Sequence, residues 1–266
     1  MTEPFSLPVF QVLQVTEEFK SGSNRPLLVR AVNKADGNRA DCVLKPNGGE
    51  RMGLEAMLRE VVAAYWARSW GIHTVEPVLL QVDADLIRVS QGQEWYELLS
   101  RSTGVNYGSI YLSNYRTLLS GQPLNREEFK QAQMIFAFDV FIQNADRRKQ
   151  KPNLMGNGQN LVIFDHELAF SYTKLIIKPS EPWNVKLEGW IEEMFLYPLI
   201  KGKLLPESQI EASLSSMADE MLWKILEQAL PSELCTLDEY QEIKQFCTSV
   251  AGHANTFTKN LQKLVV

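Results

Sequence analysis

The chain has 266 residues, 45% hydrophobic and 22% charged, and its 27 basic and 32 acidic side chains give a net charge of −5. That balance fits a globular protein of one large domain or two small lobes and argues against one built mainly to grip nucleic-acid phosphates. The three cysteines, Cys42, Cys235 and Cys247, follow no metal-ligand spacing and suit a reducing compartment.

The opening MTEPFSLPVF has neither the basic start nor the apolar run of a secretory signal. No stretch approaches the ~20 apolar residues that span a bilayer. A cytoplasmic location without a membrane partner is the expectation. Phe10 to Val15 and Leu27 to Val32 read as β-strands around the turn cluster Lys20 to Asn24, and Asp41 to Leu44 is a third strand ending at Lys45. The turn Pro46-Asn-Gly-Gly49 follows. Leu54 to Ala67 places apolar residues at helical spacing and stops at Gly71. Val78 to Gln81, Leu86 to Val89 and Trp95 to Leu99 read as further short strands. From Gly104 the pattern turns helical. Arg126 to Gln143 is a largely buried helix, and a hairpin around Gly156-Asn-Gly158 leads into Asn160 to Asp165. Ile210, Leu214, Met217, Met221 and Ile225 form an amphipathic stripe, and Leu237 to Leu264 one or two last helices. The expected architecture is α+β, with a mostly antiparallel sheet over residues 1–100, a helical lobe over 101–266 and a cleft between them.

Several residues along this order suit phosphoryl transfer, which needs a held nucleotide, metal ions across its phosphates and a group that orients the nucleophile. Lys45 ends the strand Val43-Leu-Lys45, like the strand lysine that pairs ATP phosphates; the alternative is a solvated strand-end lysine. Glu60 on the next helix is placed to reach back to it, or is a surface glutamate. Asn144-Ala-Asp146-Arg147 and Asn153 follow a buried helix, and Asp165 closes the apolar run Leu161 to Phe164, the layout of a catalytic loop and a metal aspartate. The competing reading is a polar hairpin in which Asp146 caps a turn. His166 is either a catalytic base or a hydrogen-bonded structural histidine. Neither G-x-S-x-G nor G-x-x-x-x-G-K-[ST] occurs, so a hydrolase triad and a P-loop have no support.

The run FDVFIQNADRRKQKPNLM…LVIFDHELAF resembles the HipA-like kinases, relatives of the protein and phosphoinositide kinase fold in bacteria. CVLKPNGG, LREVVAAYWARSWGI, VNYGSIYL and ALPSEL extend the resemblance across much of residues 40–235. It implies a two-lobed kinase-like fold and an ATP- and Mg²⁺-dependent transfer to a serine or threonine of a protein. It further implies that Lys45 binds phosphates with Glu60 steadying it, that Glu97 to Leu99 meet adenine through backbone groups, that Asp146 is the catalytic base, and that Asn153 and Asp165 are metal ligands.

Two departures stand out. Kinase loops space this aspartate and asparagine five residues apart, whereas Asp146 and Asn153 are seven apart, with the basic run Arg147 to Lys151 available for a substrate phosphate or an acidic partner. The glycine-rich loop is thin, with Gly22 alone near the first hairpin and Gly48-Gly49 as a second candidate cover for the phosphates. A non-catalytic pseudokinase or partner-binding module, and a lipid or small-molecule kinase, are the alternative functions; a regulatory, antitoxin-like protein is a candidate partner.

Overall fold

A computed structural model describes residues 5–20 and 24–266. It forms two compact units, Met1–Val61 with Val75–Ser113, and Val62–Thr74 with Asn114–Val266.

In the first unit, β1 (Val9–Glu18), β2 (Leu27–Asn33), β3 (Arg39–Lys45), β4 (Pro77–Val82) and β5 (Gly104–Ile110) close into a barrel in the order β1-β2-β3-β5-β4. The expected mostly antiparallel sheet is thus closed into a barrel: β1 also pairs with β4, in parallel, through Val9–Leu79, Phe10–Leu80 and Gln11–Gln81. The cause lies in β1. Its register against β2 slips between Val12 and Gln14 and again between Val15 and Glu17. Such bulges bend a strand and add twist, which lets a sheet curl until its edges meet. The buried set consequently changes phase, from Phe10 and Val12 to Val15, leaving Leu13 outward. Leu27, Val29, Ala31, Cys42, Leu44, Val78, Leu80 and Val82 complete the barrel core. Because β5 lies past residue 100, the barrel draws on chain to both sides of the expected boundary.

Two expected strands are helices. Leu86 to Val89 belongs to a helix over Ala84–Val89, capped by Asp83, whose side chain accepts from Leu86 N. Trp95 to Leu99 is replaced by a short helix over Tyr96–Ser100. In the latter, Leu98 and Leu99 are both buried, a pair of neighbours that a half-buried strand would place on opposite faces. In chain order the helices are α1 (Leu54–Ser69), then α2 and α3 for these two. Residues 56–67 of α1 are buried on every side, their apolar side chains together with Arg59 and Glu60. It ends as its sequence predicts: Gly71 has φ +71°, Ile72 N donates to Ala67 O, and Gly71 N donates to Arg68 O. That pair of bonds is the Schellman termination, which needs a left-handed residue at this place.

In the second unit a three-stranded sheet joins β6 (Arg116–Thr117), β7 (Leu154–Gly156) and β8 (Leu161–Ile163). Beside these elements is α4 (Arg126–Phe141), started by a reciprocal capping box between Asn125 and Glu128. The remaining helices are α5 (Gly189–Glu192), α6 (Tyr197–Ile200), α7 (Glu207–Ser215), α8 (Glu220–Ala229), α9 (Ser232–Cys235), α10 (Asp238–Ala251) and α11 (Ala254–Val265). The stripe from Ile210 to Ile225 is not one helix. Asp219 accepts from Met221 N and starts α8 afresh, so the phase resets: Trp223 and Leu226 point inward and Met221 is exposed. Among the described residues no helix is long and apolar enough to cross a membrane.

Candidate active site

Lys45 ends β3 one residue after Leu44, so strand alternation turns its side chain away from the barrel core that Leu44 enters. There its ammonium pairs with the Glu60 carboxylate of α1, as the sequence suggested. Glu60 is 1% exposed, and a buried carboxylate is stable only when charge and hydrogen bonds meet it.

In the second unit, α4 delivers the polar loop. Asp139 sits in the apolar stretch Phe136–Phe141 and is fully buried, as is Arg147. Arg147 Nε donates to Asp139 Oδ2 at 2.6 Å, while Asn144 Nδ2 donates to Asp139 Oδ1 at 3.2 Å. Nη1 of the guanidinium donates to the Asn153 carbonyl and, at 3.4 Å, to the Phe164 carbonyl. One cation thus staples the end of α4, the loop and the segment after β8. His166, also buried, places Nε2 3.2 Å from Arg147 Nη2. A guanidinium only donates, so Nε2 accepts and the ring proton sits on Nδ1. That contact favours the hydrogen-bonded structural histidine of the two readings.

Asp146, Asn153 and Asp165 come together here. Asn153 Nδ2 lies 3.3 Å from Asp146 Oδ2 despite the seven-residue spacing. The extra length is taken up by a turn in which Arg148 and Lys151 pair backbone to backbone. Lys151 Nζ bridges both aspartates, 2.6 Å from Asp146 Oδ2 and 2.8 Å from Asp165 Oδ2. Burial alone would lower the Lys151 pKa, but Asp165 and Asp146 outweigh it and the net shift is upward, so the side chain stays cationic. Arg148 adds a 3.2 Å contact to Asp146 Oδ1, and Lys149 pairs with Glu193. The basic run therefore meets acids of its own chain while Arg148, Lys149 and Lys151 stay partly exposed.

Asp165 follows β8 by two residues rather than closing it. Gln143, Asn153, Asp165 and Phe170 all take positive φ, +51°, +44°, +64° and +55°. Asparagine and aspartate tolerate this region better than most residues, and strain of this kind gathers at functional sites. A carboxylate oxygen of Asp165 lies within 4.8 Å of one of Glu167, itself buried.

Glu97 and Leu99 lie on α3, where Glu97 is exposed. Leu99 N donates to Trp95 O and its carbonyl accepts from Ser102 N, so its backbone groups are engaged within the fold. The Gly48 N–H is likewise held by Ser102 Oγ at 2.9 Å and the Gly49 N–H by Pro46 O. A Cβ on Gly48 would stand 2.7 Å from Arg101 Cβ, so close packing explains that glycine. Gly22 lies outside the described residues. Sequence reading assigned no role to Asp139 or Glu167 and placed Lys151 only within the basic run. Only Asp139 carried a signal, a lone charge inside an apolar helical run.

No curated protein matches the chain. Among solved structures it is similar to the Helicobacter pylori proinflammatory kinase CtkA, with TM-score 0.52 over 98% of this chain and all of that one, at 9% identity. At that identity the likeness concerns the fold. The model of the HipA-like kinase family matches residues 12–179, more than half the chain. With its lysine–glutamate pair and its Asp146, Asn153 and Asp165 cluster, this chain belongs to the HipA-like kinase family, a family of phosphotransferases.

Proposed function

We propose that the protein is an ATP- and Mg²⁺-dependent kinase that transfers the γ-phosphoryl group to a serine or threonine hydroxyl of a protein. In this reading the two units are the small and large lobes of a kinase-like fold, and a regulatory, antitoxin-like protein is a candidate partner. The observation that carries it is the convergence of Asp146, Asn153 and Asp165 within one loop system.

The residues suit a hard divalent cation. Asp165 and Glu167 offer carboxylate oxygens, and Asn153 turns its amide nitrogen to Asp146, which leaves its amide oxygen as the ligand atom. Magnesium, when bound, supplies charge to offset that developing on the phosphates. Lys45 holds phosphate oxygens, with Glu60 fixing the ammonium's direction. Asp146 accepts or orients the proton of the incoming hydroxyl at its carboxylate. Arg147 and Asp139 hold the loop so that this carboxylate is in place beforehand.

One observation favours the second reading, a non-catalytic module: Asp146 is covered by Arg148, Lys151 and Asn153. The two readings share nucleotide binding and part at turnover. Thermal-shift titration with ATP tests what they share. At ~100-fold excess over Kd, Mg·ATP should stabilise the protein by ~2.7 kcal/mol, with a smaller gain when Mg²⁺ is chelated. No shift under either condition contradicts both.

A further inference from the structure

The loop between Asp146 and Asn153, two residues longer than the usual kinase spacing, places a cation between Asp146 and Asp165. Arg148 N donates to Lys151 O and Lys151 N to Arg148 O, each at 3.0 Å, closing the turn. It is anchored from outside as well. Phe195 N donates to Arg147 O at 2.9 Å, Lys149 N donates to Glu193 O at 3.2 Å, and Arg148 bridges Met194. Lys151 thus leaves a fixed backbone, and its ammonium touches one oxygen of each aspartate. Two carboxylates held this close repel one another unless a cation lies between them.

We propose that Lys151 is a built-in counterion that holds Asp165 against Asp146 and must be displaced for a divalent cation to bind, so that it sets the metal affinity of the site. The proposal rests on the reading that Asp165 is a metal ligand. An ammonium and a divalent ion compete for the same carboxylate lone pairs, and the doubly charged ion is attracted more strongly. Displacement is inexpensive for the lysine, because its side chain is 37% exposed and its flexible stem lets the ammonium regain water. Glu167, with an oxygen within 4.8 Å of one on Asp165, adds a ligand for the incoming ion.

The test is Mn²⁺ affinity of the full chain without nucleotide, followed by the electron-spin resonance of free Mn²⁺. Lys151→Met, which keeps the stem and removes the charge, should bind Mn²⁺ about tenfold more tightly than the parent. Lys151→Gln serves as a second uncharged variant if the first misfolds. Lys151→Arg should stay within about threefold of the parent, and Asp165→Asn should lose binding. Equal or weaker affinity in the uncharged variants, with binding still lost in Asp165→Asn, overturns the counterion role and leaves Asp165 as the ligand. If Asp165→Asn binds like the parent, the assignment of Asp165 itself fails and the counterion role falls with it.

Discussion

Arg147 and Asp139 are the buried ion pair on which the loop depends, and neither has a solvent route to stability if its partner is lost. Arg147→Met should cost about 3–5 kcal/mol, the usual penalty for stranding one charge of a buried pair. Arg147→Lys should also destabilise, because one ammonium cannot serve Asp139 together with the Asn153 and Phe164 carbonyls. The double variant Arg147→Met/Asp139→Leu should recover part of the loss, since no charge is then stranded; urea denaturation of the three measures it. At this scale the sequence was legible where chemistry follows chain order: Lys45 with Glu60, and Asp146, Asn153 and Asp165 in one loop system. It was illegible where placement depends on turn geometry. Nothing in RRKQKPN says that Lys151 faces both aspartates, because that follows from the Arg148–Lys151 pairing.

Strands and long helices were readable because each repeats a period over many residues. β2 alternates through Leu27, Val29 and Ala31, and α1 announces its end with Gly71. Short elements failed for the opposite reason: five residues such as Tyr96–Ser100 hold too little pattern to separate strand from helix. Barrel closure was also hidden, since it depends on bulges in β1 and on close approach at β5. A Cβ on Gly108 would lie 2.3 Å from Leu80 Cδ1 and 2.6 Å from Val43 O, inside the barrel wall. Gly108→Ala should therefore destabilise the protein by about 1–3 kcal/mol, as overpacking does. Gly53→Ala, whose added carbon meets nothing within 4 Å, is the control and should change stability by under ~0.5 kcal/mol. Equal denaturation midpoints for the two variants would contradict the packing described for β5.

Across the whole molecule, the helices from α7 to α11 lie past residue 179, where the family match ends. Their packing can be checked through the free thiols. Cys42 and Cys247 are fully buried, burial pushing the Cys42 thiol up to about 12, whereas Cys235 is partly exposed. A thiol reagent should titrate Cys235 alone in the native protein and all three cysteines after denaturation; rapid native labelling of Cys247 would contradict the packing of α10. The central claim is that Asp146 serves turnover while Asp165 also serves metal-nucleotide binding. Its most direct test is single-turnover phosphate transfer from radiolabelled ATP, to itself or a supplied protein, by the parent, Asp146→Asn and Asp165→Asn, with Mg·ATP affinity measured alongside. The account predicts that Asp146→Asn loses at least ~100-fold in transfer at near-parental affinity, and that Asp165→Asn loses both. Transfer at the parental rate by both variants would contradict it.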